Sequence, residues 1–243
     1  WAAGHDEIIL HSGDGGETWT RQHYAPESQQ PLLDLWFADA RRGIAVGAYK
    51  ACYVTADGGA TWVRTPFEPA PPPGAKPAGP DDDIPPEYHL NRIAGRGERL
   101  YVAAEAGQLY RSDDGGTSWR TLASPYAGSF FGLLPLAGES VLAFGLRGNL
   151  FRSDDGGGSW RKLESRTTAM LTDGIVLGDG ALALVGLSGT VLASRDGGND
   201  WTLAQQANRK GFSAALPALD GALVAVGEDG PRRIELRSTG AAP

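Results

Sequence analysis

The chain has 243 residues, 41% of them hydrophobic, enough to bury the cores of one or two globular domains. Its formal net charge of −7 argues against general nucleic-acid binding, where a basic surface supplies most of the affinity, and leaves room only for a local basic patch. A single cysteine, Cys52, excludes an internal disulfide, and no apolar run approaches the ~18 residues of a membrane span.

Glycine is abundant, at 35 residues, and stretches with helical periodicity are scarce, so all-β structure with many tight turns is expected. The chain opens with strand-like runs at Trp1–Gly4, Ile8–His11 and Trp19–His23. The last two are joined by Ser12-Gly13-Asp14-Gly15-Gly16-Glu17-Thr18-Trp19. That octet recurs at 55–62, 112–119, 153–160 and 194–201, with the pattern [Ser/Thr]-x-Asp-Gly-Gly-x-[Thr/Ser/Asp]-Trp. Its aspartates, Asp14, Asp57, Asp114, Asp155 and Asp196, lie 43, 57, 41 and 41 residues apart. A period near forty residues signals stacked supersecondary units.

The octet has the chemistry of a turn. Asp can accept hydrogen bonds from backbone N–H groups just ahead of it, and two glycines take positive φ without steric cost. Trp19, Trp62, Trp119, Trp160 and Trp201 bring apolar surface to a strand start, where each indole N–H needs a partner. A catalytic or metal-binding carboxylate has no need of five copies, so these ten residues are read as structural.

The unit from Pro31 shows four strands, A to D: Leu32–Phe37, Ile44–Gly47, Ala51–Thr55 and Trp62–Thr65. Three further units repeat it from Leu90, Phe130 and Ala169. A sixth offers 212–219, 223–226 and 234–236, and then no Asp turn. The first unit lacks an A strand, so an N-terminal piece is expected to be missing. No signal peptide is visible, and the start at Trp1 reads as processed or trimmed. Four-stranded antiparallel units of this length, repeated radially, make a β-propeller, here with about six blades over residues 1–243 as a single domain. The long interval holds a proline-rich insert, residues 67–86, expected to be a solvated excursion or a docking arm.

Strand order places the A–B and C–D turns on one face and the B–C turns and D-to-A links on the other. All five Asp turns fall on the first face. The second carries the variable residues, and Tyr49, Tyr126, Arg147, Arg166 and Arg209 are the candidates there for contact with a protein partner, since Arg and Tyr favour interface anchors. Cys52 lies in an apolar run and reads as a core residue. His5, His11, His23 and His89 show no metal-ligand spacing, so neither metal nor cofactor is expected.

The octet resembles the Asp box, the bacterial neuraminidase repeat. With the strands around it, as in Val46–Gly59 (VGAYKACYVTADGG) and Gly145–Gly157 (GLRGNLFRSDDGG), the chain resembles the photosystem II stability and assembly factor family. That resemblance implies a seven-bladed, non-enzymatic, monomeric propeller, periplasmic or secreted, that assists assembly of a membrane protein complex. Relatives in non-photosynthetic bacteria look like accessory proteins, some beside transporters. An arginine-rich surface patch is the family's binding feature, and no short motif carries it to particular positions. Sialidase-like hydrolysis and carbohydrate binding are the alternatives. The Arg-Ile-Pro signature of sialidases is absent; Asp83-Ile84-Pro85 is the nearest text.

Overall fold

A computed structural model of the chain describes residues 1–72, 74, 87–218 and 220–236. Its 22 strands form six antiparallel sheets in sequence order. The first sheet is β1 (Ala2–Ala3), β2 (Ile9–His11) and β3 (Thr20–His23). The second is β4 (Leu32–Phe37), β5 (Gly43–Gly47), β6 (Cys52–Thr55) and β7 (Val63–Arg64). The third is β8 (Leu90–Arg96), β9 (Arg99–Ala104), β10 (Leu109–Ser112) and β11 (Arg120–Thr121). The fourth is β12 (Phe130–Pro135), β13 (Val141–Gly145), β14 (Leu150–Ser153) and β15 (Arg161–Leu163). The fifth is β16 (Leu171–Val176), β17 (Leu182–Gly186), β18 (Thr190–Ser194) and β19 (Thr202–Gln205). The sixth is β20 (Phe212–Pro217), β21 (Leu223–Gly227) and β22 (Gly230–Ile234).

The inner strands β4, β8, β12, β16 and β20 pack side by side, so the sheets are blades of a propeller. Strands β5, β13 and β17 are buried along their whole length, because a neighbouring blade covers each face. That is why their sequences read as continuous apolar runs and do not alternate. The core is accordingly split into five clusters, one at each blade-to-blade interface. Four of the five interfaces take the tryptophan of the later blade: Trp62 meets the first blade, Trp119 the second, Trp160 the third and Trp201 the fourth, while the interface of the fifth and sixth blades has none among its described core residues. Trp19, in the first blade, is 46% exposed.

The octets form the expected turns. In the fourth blade the Ser153 hydroxyl donates to Asp155 Oδ1 at 2.7 Å and accepts the Gly157 N–H at 2.7 Å. Asp155 accepts the Ser159 N–H at 2.8 Å and its hydroxyl at 2.6 Å. Gly156 and Gly157 take φ of 70° and 91°, the left-handed region in which a Cβ is penalised. In the fifth blade Asp200 stands where others have a hydroxyl, and only its backbone N–H reaches Asp196. Trp19, Trp119 and Trp201 donate their indole N–H to the second glycine's carbonyl. Trp62 and Trp160 depart from expectation: their indole nitrogens are buried and find no acceptor among the described residues.

Several boundaries differ from the sequence reading. The tryptophans precede the D strands instead of opening them. The last strand is Gly230–Ile234, not 234–236, because a tight turn pairs Gly227 with Gly230 and carries the register on through Pro231, Arg232 and Arg233. Those residues are mostly exposed on an edge strand, which no apolar-run rule can find. The segment from Phe67 does not leave for solvent at once. Phe67 is 4% exposed and packs against Tyr110 and Trp119, and Ala70 bridges Arg120 in parallel. The rest of the proline-rich insert, residues 73 and 75–86, lies outside the described residues. No helix among the described residues is long and apolar enough to cross a membrane. Cys52 is buried, as expected.

Candidate functional site

Backbone hydrogen bonds confirm the two faces. The Asp turns are tied to the A–B turns, as Gly58 N to Arg41 O at 2.9 Å and Gly156 N to Glu139 O at 2.8 Å. The B–C turns are tied to the D-to-A links, as Leu146 N to Ser129 O at 3.2 Å and Leu187 N to Met170 O at 2.9 Å.

Charge is handled differently on the two faces. On the Asp-turn face most arginines are consumed internally, although Arg41 and Arg96 make no ion pair among the described residues. Arg99 pairs with Asp113 and Glu139, and Arg152 with Asp154. Arg111 pairs with Asp113 at 2.5 Å and donates to the Gly156 carbonyl of the next blade at 2.8 Å. Arg152 does the same to Gly197. These side chains staple one blade's turn to its neighbour, beside a cleft of about 530 Å³ in which Arg99 and Arg111 are ion-paired and Arg96 is not. Arg42 is likewise paired, with Asp39 and Glu98.

The opposite face holds a cleft of about 670 Å³ between the fourth and fifth blades, and Arg147, Arg166 and Arg209 all line it. Lys162 joins them, and Glu164 is the one carboxylate among the described residues lining it. No ion pair among the described residues engages any of the four cations. Each arginine is exposed and comes from a different loop: the turn after β13, the link after β15 and the link after β19. A guanidinium so presented offers a planar fork of donors that matches a carboxylate.

Local structure explains the convergence. Arg147, Arg166 and Arg209 sit at φ of 57°, 58° and 57°. This left-handed backbone costs a non-glycine residue about 1 kcal/mol or more, and it recurs at the equivalent turn position in the first five blades, so the fold itself sets the direction in which Arg147 leaves the backbone. Gly148 follows Arg147, and a Cβ there would come within 2.0 Å of the Thr167 carbonyl. The Ser165 hydroxyl closes the contact by donating to Gly148 O at 2.6 Å. Turn and link are thus locked together, and the two arginines they carry share one cleft.

The other candidates lie elsewhere. Tyr126 does not join the arginines: its ring is half-buried, stacked on Phe151 and edge-on to Phe130. Phe130 itself is fully buried. Tyr49 is 49% exposed and lines a separate cleft of about 430 Å³ between the second and third blades. Lys162 was missed by sequence reasoning because it belongs to a D strand and not to a loop. No cluster of His, Cys, Asp and Glu among the described residues could hold a metal.

The inner strands carry a charged group that sequence reasoning also missed. Asp34 on β4, Arg92 on β8 and Asp173 on β16 meet, with Arg92 Nη2 2.6 Å from Asp173 and Nε 3.4 Å from Asp34. Asp34 and Asp173 also accept the N–H groups of Ile93 and Ala215 on the following blades. Burial raises the Asp34 carboxyl above its ordinary pKa, against the pull of Arg92. Three inner strands are braced in this way.

Residues 22–173 match the sequence model of the family described as photosynthesis system II assembly factor YCF48. The chain belongs to that family. Solved structures share the fold. YCF48 bound to a D1 peptide superposes with a TM-score of 0.61 at 19% identity, over 81% of this chain and 60% of that one. YCF48 from Cyanidioschyzon merolae gives 0.62 at 19% identity, over 86% and 70%. An ancestral GH74 enzyme gives 0.58 at 14% identity, over 81% of this chain and 27% of the enzyme. The chain therefore spans 60% of the length of the peptide-bound YCF48. No curated protein matches the sequence.

Proposed function

We propose that this member of the YCF48 family is a non-catalytic propeller that holds an acidic, extended segment of a protein partner in the Arg147–Arg166–Arg209 cleft. One observation carries the reading: three strained, exposed arginines from three loops line one cleft, and none is spent on an internal carboxylate. A YCF48 that binds a D1 peptide offers a precedent for the type of ligand. The partner would be a subunit of a membrane complex or a transporter, met by a monomer in the periplasm or outside the cell.

The cleft is poorly equipped for glycoside hydrolysis. That reaction uses two carboxyl groups across the scissile bond, or a Tyr–Glu nucleophile in sialidases. Glu164 stands alone in the lining, and no tyrosine accompanies it among the described residues.

The test is titration of a fluorescent acidic peptide, with a D1 peptide alongside, against wild type and Arg147→Ala plus Arg166→Ala. Loss of at least tenfold in affinity, with binding that weakens as salt rises, is expected. Equal binding by both proteins would refute the assignment.

A further inference from the structure

The B–C turns of this propeller provide an internal comparison. Each of the first five blades places two successive residues in left-handed backbone there: Asp6 and Glu7, Tyr49 and Lys50, Ala106 and Gly107, Arg147 and Gly148, Ser188 and Gly189. In the third, fourth and fifth blades the second is glycine, which takes φ of 77°, 68° and 68° without penalty. In the second blade it is Lys50, at φ 57°, directly after Tyr49 at φ 52°.

Sterics explain why glycine is required in the third and fourth blades, whereas the first blade, like the second, carries a non-glycine residue there, Glu7. A Cβ would meet the Tyr126 carbonyl at 2.1 Å from Gly107 and the Thr167 carbonyl at 2.0 Å from Gly148. In the second blade Lys50 N bonds instead to Tyr88 O, at 3.1 Å, and the Lys50 side chain borders an open cleft with Arg64, Pro66 and Phe67. Room permits Lys50 and Tyr49; it does not remove their backbone strain. The fold would be better served by glycine.

Tyr49 is also held in place while half exposed. Its ring lies edge-on to His89, with centroids 4.8 Å apart. His89 is fixed in turn by Glu105, which accepts its backbone N–H at 3.1 Å and lies 3.5 Å from Nδ1. An exposed ring with a supporting residue behind it is a preorganised contact surface. Beside it, Lys50 and Arg64 line the same cleft together with Glu68 and Glu87, and none of the four is ion-paired among the described residues. The two cations are free to take a carboxylate, but the cleft as a whole is neutral.

We propose that the Tyr49–Lys50 cleft is a second subsite for the same partner segment, one that takes an aromatic residue next to a carboxylate. The partner's ring lies on Tyr49, and its carboxylate meets Lys50 and Arg64. Both clefts open on the loop face, so an extended peptide anchored by its acidic end in the arginine cleft reaches across that face to the second. The inference rests on the function proposed above. It adds polarity: the acidic run binds over the fourth and fifth blades, the aromatic over the second and third.

Two synthetic peptides separate the claims. The short one is a capped run of acidic residues. The long one joins that run, through Gly/Ser spacers of about 6 to 14 residues at up to ~3.3 Å each, to a Trp-Asp pair. Linked contacts on one ligand multiply affinity, so the long peptide should bind wild type at least tenfold more tightly at its best spacer length. Lys50→Gly should raise the melting temperature by about 2–4 °C, as relief of strain in a chain of this size predicts. It should also lower long-peptide affinity at least fivefold and leave the short peptide unaffected. Tyr49→Ala should lower long-peptide affinity without the gain in melting temperature, because alanine keeps the strain.

Equal loss for both peptides, or no loss for either, overturns the second subsite and leaves the arginine cleft standing. A short peptide that binds wild type and Arg147→Ala plus Arg166→Ala alike, or fails to bind wild type, overturns both.

Discussion

Replacing Asp173 with alanine tests whether the charged group on the inner strands braces the propeller. Its carboxylate is 6% exposed and accepts three hydrogen bonds, from Arg92 Nη2 at 2.6 Å, Gly174 N at 2.8 Å and Ala215 N at 2.9 Å. Removing one partner of a buried ion pair costs about 3–5 kcal/mol. The Arg92 side chain is 31% exposed and keeps Asp34 at 3.4 Å, so water and Asp34 recover part of that, leaving about 2 kcal/mol. The Ala215 N–H lies in a buried residue and loses its acceptor, at about 1–3 kcal/mol. Together the loss is about 4 kcal/mol, a large share of the 5–15 kcal/mol typical of a folded domain. Asp173→Asn can still accept from Ala215 while surrendering the charge, and should cost roughly half as much. Urea unfolding followed by tryptophan fluorescence reads both, with the midpoint as the measure of stability so long as the slope is unchanged. A loss below about 1 kcal/mol for Asp173→Ala, or Asp173→Asn equal to it, would refute the brace.

The Asp turns and the lone thiol give two more predictions. Hydrogen bonds from Ser159 and then Ser153 pull Asp155 down to about 2, so its contribution is complete above the unfolded carboxylate value near ~3.9 and is lost as pH falls through 2. The gap in urea midpoint between wild type and Asp155→Asn should therefore be constant from pH 6 to 5 and close below pH 4; a gap that persists unchanged at pH 2 contradicts the turn's role. Burial pushes the Cys52 thiol up to about 12, so a thiol reagent at pH 8 should label the native protein no faster than it opens. Labelling at the rate of a free cysteine would place Cys52 at the surface.

Architecture was legible in the sequence because one octet repeats at a near-constant interval, and its requirements are local. Asp155, Gly156, Gly157 and Ser159 close a turn whose bonds all fall within a few residues. The B strands announce themselves for a related reason. Being covered on both faces, Val141–Gly145 and Leu182–Gly186 must be apolar throughout. Edge strands escape such reading: Gly230–Ile234 has one covered flank at most and carries Pro231, Arg232 and Arg233.

Sequence alone placed Arg147, Arg166 and Arg209 on one face, since strand order decides which loops emerge together. That these three share a cleft while Tyr126 is half-buried against Phe151 depends on inter-blade packing. The Gly148–Thr167 contact and the stacking of Tyr126 on Phe151 join residues that no local rule relates. Likewise Arg92 finds Asp173 81 positions away because their strands line a common axis. A repeated turn is determined by the bonds within it, whereas the pairing of charges between blades is decided only when the blades have packed.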